Sequence, residues 1–203
     1  EYVDFDLFAG GDSTHALDDR RLADLAYTVF DTETTGLLLP SKAPLEKQPR
    51  IIELGALAVS KEGIIGELSQ LLDPQVEITA EITKITGLTN EDLKGKPTFA
   101  EFLPQLAEFF RGADFLICHN APFDTGMLRN DLKRAGCDDF PWPTEILCTA
   151  QEYTALLGKR PSLKILYQHI IGEPLAQTHR ALDDAAAVHA VLLKDKFFDK
   201  IGV

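Results

Sequence analysis

The sequence predicts an α/β domain, a mixed sheet with helices on its faces, and three observations carry that expectation. Strand-length apolar runs cluster early in the chain and are joined by short turns. Capping signals and helical periodicity dominate the remainder. One short run, Asp114–Cys118 (DFLIC), interrupts those helices as a buried strand.

Residues 1–25 read as an acidic N-terminal extension, in which seven acidic residues stand against two arginines, and residues 26–203 as the domain itself. Strands are expected at Ala26–Glu33, at Ile51–Val59 beyond the Pro- and Lys-containing loop Leu38–Arg50, and at about Gly66–Leu72 beyond the Gly63 turn. Their short connections predict an antiparallel start. Helices are expected at Ala80–Thr86, closed by Gly87, and after Thr98, where Glu101 can complete a capping box and Pro104 predicts a delayed start or a kink. Further helices are expected at Pro122–Ala135, closed by Gly136, and at Ile146–Leu157, Ser162–Ile171 and Arg180–Leu193.

A chain of 203 residues that is 45% hydrophobic can bury one substantial core. It has no run of about 18 apolar residues, and its first residues are acidic and polar. No membrane association and a cytoplasmic location are therefore expected. Cys118, Cys137 and Cys148 form no C-x-x-C pair and are odd in number, which predicts reduced core residues rather than disulfides or zinc ligands. A formal charge of −12 argues against avid, processive binding of nucleic acid by this chain alone. It leaves open the brief handling of a strand end through bridging metal ions.

The strongest local signal is the apolar strand that ends Asp31-Thr32-Glu33-Thr34-Thr35-Gly36. Acids at i and i+2 of a strand point to one face, where they repel unless a cation lies between them. Oxygen ligands of this kind suit Mg²⁺ or Mn²⁺. Taken alone, so short a motif reads as a solvated strand end, and a second feature is needed. Directly after DFLIC, His119-Asn120-Ala121-Pro122-Phe123-Asp124 puts Pro122 and Asp124 in a helix's first turn, where an Asp also serves as an ordinary cap. Finally, Thr178-His179-Arg180-Ala181-Leu182-Asp183-Asp184 opens an apolar helix, with Asp184 beyond His179 and Asp183 expected in solvent.

A D-x-E strand, an N-x-x-F-D helix start and an H-x(4)-D helix, in that order, resemble the DEDDh (DnaQ-like) 3′→5′ exonucleases. That family includes the proofreading epsilon subunit of bacterial DNA polymerase III, ribonuclease T and oligoribonuclease, and the epsilon type is the one most resembled. The likeness runs from about Tyr27 to Leu193 and takes in Ile51–Ala56, Ile85–Thr89, Lys96–Phe99 and Ser162-Leu163. It implies a ribonuclease H-like fold with a five-stranded mixed sheet, the fifth strand falling between Cys137 and Ile146. It also implies that Asp31, Glu33, Asp124 and Asp184 are the metal-site acids and that His179 is the general base.

Phosphodiester hydrolysis by such a site uses two divalent cations, Mg²⁺ or Mn²⁺, about 3.5–4 Å apart. One activates the attacking water and the other stabilises the leaving 3′-oxygen, so the product is a nucleoside 5′-monophosphate. The Thr34-Thr35-Gly36 turn is placed to offer backbone donors to a terminal nucleotide, and Phe123 and the Ile85–Leu88 segment to touch its base or sugar. The resemblance adds Glu81 and Asn120 to that seat, with Thr86 standing where epsilon-type relatives often carry His. Lys84, Lys159, Arg160, Lys164 and Arg180 are the candidate cations for tracking a strand.

A haloacid-dehalogenase-type phosphatase also carries an acid pair two apart after an apolar strand. Its second acid is normally Asp, however, and that reading leaves Asn120–Asp124 and His179–Asp184 unexplained. A binding module that keeps the fold without the activity is the alternative from another class. The expected partners are the 3′ end of single-stranded DNA, which is favoured, or of RNA, and a DNA polymerase or sliding clamp. Asp4-Phe5-Asp6-Leu7-Phe8 faintly resembles a clamp-binding pattern that lacks its Gln.

Overall fold

The computed structural model describes residues 26–176 and 178–201, so the acidic extension and its Asp4–Phe8 segment lie outside the described residues. Strands β1 (Tyr27–Thr34), β2 (Ile51–Ser60) and β3 (Gly63–Leu71) form an antiparallel meander. Strands β4 (Phe115–Cys118) and β5 (Glu145–Cys148) pair in parallel on the other side of β1, giving the order β3-β2-β1-β4-β5. The strand that carries the acid pair is therefore central.

Alternation along β1 assigns its side chains to two layers. Phe30 packs with Leu106 and Phe110 of α3 (Phe99–Phe110) and with Met127 and Leu128 of α4 (Ala121–Arg134). Val29 packs on the opposite face with Leu166 of α7 (Leu163–Ile171), Val188 and Val191 of α8 (Ala181–Asp195), and Phe197 of α9 (Phe197–Ile201). Both side chains are fully buried, each stabilising the fold by about 1.5–3 kcal/mol. A third, smaller cluster seats α1 (Ala80–Thr86) and α2 (Asn90–Leu93) against Ile52 through Ile78, Leu88 and Leu93.

The capping box expected at Thr98 and Glu101 is present in both halves. Pro104 does not delay α3, because the helix starts at Phe99 and runs through the proline. A proline there removes one intrahelical bond, and Leu106, Phe109 and Phe110 beyond it are buried in the core, an apolar anchoring that offsets the loss.

Ile146–Leu157 is not one helix. Glu145–Cys148 instead forms β5, and only the short helices α5 (Thr149–Glu152) and α6 (Thr154–Leu157) follow. β4 would otherwise leave its outer hydrogen-bonding edge unpaired, and pairing Ile117 with Leu147 and Cys118 with Cys148 overrides local helix preference. The fifth strand thus overlaps the interval expected for it only at Glu145 and Ile146.

Candidate active site

The C-terminal end of β1 is where the two layers meet. Asp31 and Glu33 share the face that carries α8, whose first turn brings in Asp184. Asp124 arrives from the opposite layer, in the first turn of α4, and accepts a 2.8 Å hydrogen bond from the Thr32 hydroxyl. Thr32, the residue between the two acids, thereby fixes α4 to the strand end. Ligand atoms of Glu33, His179 and Asp184 lie within 4.8 Å of one another. All five sequence-predicted residues, Asp31, Glu33, Asp124, His179 and Asp184, line one open cleft of about 430 Å³.

The electrostatics of this cluster are unfavourable without added positive charge. Burial, and then the carboxylates of Asp124, Asp184, Glu33 and Glu53, hold the Asp31 pKa well above the ordinary range. Burial, with Asp184, Glu53 and Asp124 nearby, pushes Glu33 up to about 8. Burial raises Asp124 to about 7 despite the stabilising hydrogen bond from Thr32. These acids can ionise together only if a cation is placed among them, and an oxygen-rich donor set with one imidazole fits a divalent ion.

His179 sits at the tip of a strained loop, with φ 52°, in the left-handed region that β-carbon-bearing residues seldom adopt. Both neighbours are tied down. The Thr178 hydroxyl donates to Asp183 at 2.6 Å, and the Arg180 guanidinium donates to both carboxylate oxygens of Glu53 at 2.8–3.0 Å. Glu53 lies on β2 directly opposite Glu33 and is fully buried. Two positions further on, Gly55 admits the start of α8: a β-carbon there would lie 2.1 Å from the Ala181 carbonyl carbon and the Leu182 nitrogen. The strand IIELGALAV is thus the docking surface for the loop and helix that carry His179 and Asp184.

Glu53 and Gly55 were quoted in the resemblance without a role, yet each carried a signal. A lone charge in an apolar strand needs a buried partner, and a glycine in a strand interior marks close backbone approach. Arg180 in turn corrects its placement among strand-tracking cations, because its guanidinium is committed to Glu53. Asp183 is exposed as expected, with the Thr178 bond in addition.

His119 is a further unassigned residue of the cleft. Its ring engages Thr149 at Nδ1 (3.0 Å) and the Pro161 carbonyl at Nε2 (3.1 Å), and burial lowers its pKa to about 4. That lowering keeps the ring neutral at pH 7, so Nε2, which can only donate to a carbonyl, carries the single proton and Nδ1 accepts from the Thr149 hydroxyl. With both nitrogens occupied, it is a strut between β4, α5 and the segment before α7.

Asn120 and Phe123 line the same cleft. Asn120 precedes α4 without a side-chain cap, and its side-chain Oδ1 instead accepts from Arg160 at 2.6 Å. The other predicted contacts lie apart from the cleft lining. Thr34 is buried and donates to the Gly36 carbonyl, while the Thr35 N–H is bonded to the Arg50 carbonyl at 2.9 Å. Thr35 and Gly36 line a neighbouring hollow with Leu37 and Arg50. Glu81 is exposed on the first turn of α1. Thr86 is buried, its hydroxyl donating to the Ile82 carbonyl and accepting from Leu88 N–H at the end of that helix. Lys84, Lys159 and Lys164 are exposed and outside the cleft lining, whereas Arg160 lies within it. The three cysteines are free, Cys118 and Cys148 being buried. Among the described residues no helix is long and apolar enough to cross a membrane.

Known proteins resemble this chain in sequence and in fold. The family model for exonucleases of the RNase T type matches residues 28–192. The epsilon subunit of DNA polymerase III from Treponema pallidum (strain Nichols) is 35% identical over 164 residues, covering 79% of this chain and 72% of that protein. A PolC-type DNA polymerase III from Clostridium perfringens (strain 13 / Type A) is 34% identical over 166 residues, 82% of this chain but only 11% of the polymerase. Among solved structures, exonuclease X in complex with 5′-overhanging duplex DNA superposes with a TM-score of 0.62 at 24% identity, covering 87% of this chain and 93% of that one. The nuclease domain of 3′hExo, a DEDDh family member bound to rAMP, gives 0.65 at 16% identity, covering 85% and 93%. The fold is ribonuclease H-like, and the chain belongs to the RNase T-type exonuclease family and is related to the polymerase III epsilon subunit.

Proposed function

We propose that the domain removes nucleotides from the 3′ end of a nucleic-acid strand, DNA in preference to RNA, releasing nucleoside 5′-monophosphates. The observation that carries this reading is the convergence of Asp31, Glu33, Asp124, Asp184 and His179 in one open cleft. The four acids would hold two Mg²⁺ or Mn²⁺ ions. When bound, such ions supply Lewis acidity for the attacking water and counter-charge for the leaving 3′-oxygen.

The chain's own residues do the rest. His179, held between the Thr178–Asp183 and Arg180–Glu53 contacts, takes the proton of the attacking water. The water oxygen bonds to phosphorus, the P–O3′ bond breaks, and the departing 3′-oxygen takes a proton from solvent, so the shortened strand leaves with a new 3′-hydroxyl. Arg160 and Asn120 face the phosphate, and Phe123 offers a surface for the terminal sugar or base. Thr35 and Gly36, which line the neighbouring hollow, and the exposed Glu81 are the further candidates for the seat of the terminal nucleotide, whereas Thr34 and Thr86 are buried. Preference for DNA, and a place beside a DNA polymerase, follow from the relationship to the epsilon subunit.

The test uses matched 5′-labelled DNA and RNA strands with Mg²⁺, Mn²⁺ or chelator, resolved on a sequencing gel. A metal-dependent ladder shortening from the 3′ end, faster on DNA, is the expected result. Faster shortening of RNA would reassign the domain to RNA trimming, and no shortening of either by folded protein would leave a binding module.

A further inference from the structure

We infer that a groove between the Leu38–Arg50 loop and α4 binds the phosphodiester backbone of the strand upstream of the nucleotide being removed. This rests on the exonuclease reading and names where the rest of the substrate lies.

The geometry starts from helical periodicity. Phe123, which lines the cleft, shares one face of α4 with Gly126, Asn130 and Lys133, spaced by three, four and three residues. The last three, with Arg129, form one wall of a groove of about 300 Å³ whose other wall is the loop from Leu38 to Gln48. The groove and the cleft therefore lie along one helix face, with Leu38 over Gly126 between them. From Phe123 to Lys133 the helix rises about 15 Å, the length of roughly four stacked nucleotides at 3.4 Å each.

The loop wall is built, not draped. Arg134 donates to the carbonyls of Leu45, Gln48 and Pro49 while pairing with Asp131, whose other oxygen accepts from Ile51 N–H. Gln48 is buried and exchanges hydrogen bonds with the Leu39 backbone, also donating to the Pro40 carbonyl. Leu38 occupies the space that a side chain at position 126 would fill, since a β-carbon there would lie 2.7 Å from its Cδ1.

Charge selects the occupant. In a chain with 32 acidic and 20 basic residues, the charged groups lining this groove are Arg129 and Lys133, with no carboxylate. Among the described residues neither is ion-paired, and Arg129 is held with its guanidinium carbon 4.4 Å from the centre of the Trp142 ring. They stand one helical turn apart, so two successive backbone phosphates can be met. Lys42 and Lys47 are exposed on the same loop, with Glu46 as its acid. An anionic polymer threaded from the cleft is the ligand this lining fits.

The experiment compares the intact protein with its Arg129→Gln/Lys133→Gln variant on two substrates: a dinucleotide, too short to reach Arg129 and Lys133, and a 5′-labelled strand of about 12 nucleotides. The ratio of kcat/KM on the long substrate to that on the short one should fall by about tenfold in the variant, through KM, and the log–log salt slope of 12-mer binding should flatten by one to two units. An unchanged ratio and slope, with the parent active on both substrates, would overturn the groove and leave the exonuclease reading intact. A parent that cleaves neither substrate overturns both. Melting temperatures equal within about 2 °C establish that the surface variant is folded.

Discussion

Glu53 and Arg180 join the second strand to the loop before the last long helix by a two-pronged salt bridge, and the acid is fully buried while the arginine side chain is 43% exposed. The pair holds the backbone next to His179 and shields the acid cluster from one of its own negative charges.

Removing one partner should therefore harm both stability and rate. Arg180→Ala strands a buried carboxylate, and a loss of about 2 kcal/mol, or about 5 °C in Tm, is expected together with at least tenfold lower activity. Glu53→Leu combined with Arg180→Met should restore the melting temperature but not the rate. Recovery of both would show that the pair has no part in placing His179.

The metal-site assignment separates two kinds of loss. Asp31→Ala should abolish turnover and weaken Mn²⁺ binding in a calorimetric titration, and unchanged heat would remove Asp31 from the site. His179→Ala should keep most of the binding heat and lose about 10²–10⁴ of the rate. Near-parental turnover at neutral pH would mean that another base operates.

Without metal, stability should fall as pH rises from about 6.5 to 8. Glu33 at about 8, Asp124 at about 7 and the raised Asp31 make the folded state hold protons that the unfolded chain has already released, so their contribution is lost through this window. Below 6.5, His119 and His189, both lowered by burial, act in the opposite direction, because the unfolded chain binds their protons first. Thermal melts in chelator at pH 6.5 and 8.0 should show the decline, and saturating Mg²⁺ should flatten it. Glu33→Gln should raise the metal-free Tm at pH 8 while abolishing activity, and a lowered Tm would contradict the electrostatic account.

Two glycine substitutions should differ sharply. Gly55→Ala drives a methyl into the α8 backbone and is expected to cost about 3 kcal/mol and most of the activity. Gly126→Ala meets only the end of the Leu38 side chain and should cost about 1 kcal/mol or less. Comparable melting temperatures for the two variants would refute the close packing at Gly55.

The elements legible in the sequence were those whose local chemistry and tertiary role agree. The alternation through Tyr27–Glu33, the Thr98–Glu101 box and the Gly87 stop all announced themselves. The β5 strand did not, because EILC becomes extended only through the unpaired edge of β4, which lies far from it in sequence. The cleft residues were legible as three motifs. What orders them was not: nothing near Glu53 names Arg180, 127 positions away, and Arg134 reads as an ordinary surface cation until the loop carbonyls close around it.

The acids come from opposite sides of the sheet, Asp124 with one layer and Asp184 with the other, and this orders events during synthesis. The long-range pairings that complete the site cannot form until α8 has left the ribosome and docked against Gly55. A nascent domain that has folded β1 to α4 already presents Asp31, Glu33 and Asp124 but lacks the histidine and the final acid. On the proposed mechanism, a chain that ends before α8 would lack Asp184, so the capacity to hydrolyse would come only with the closing of the second core.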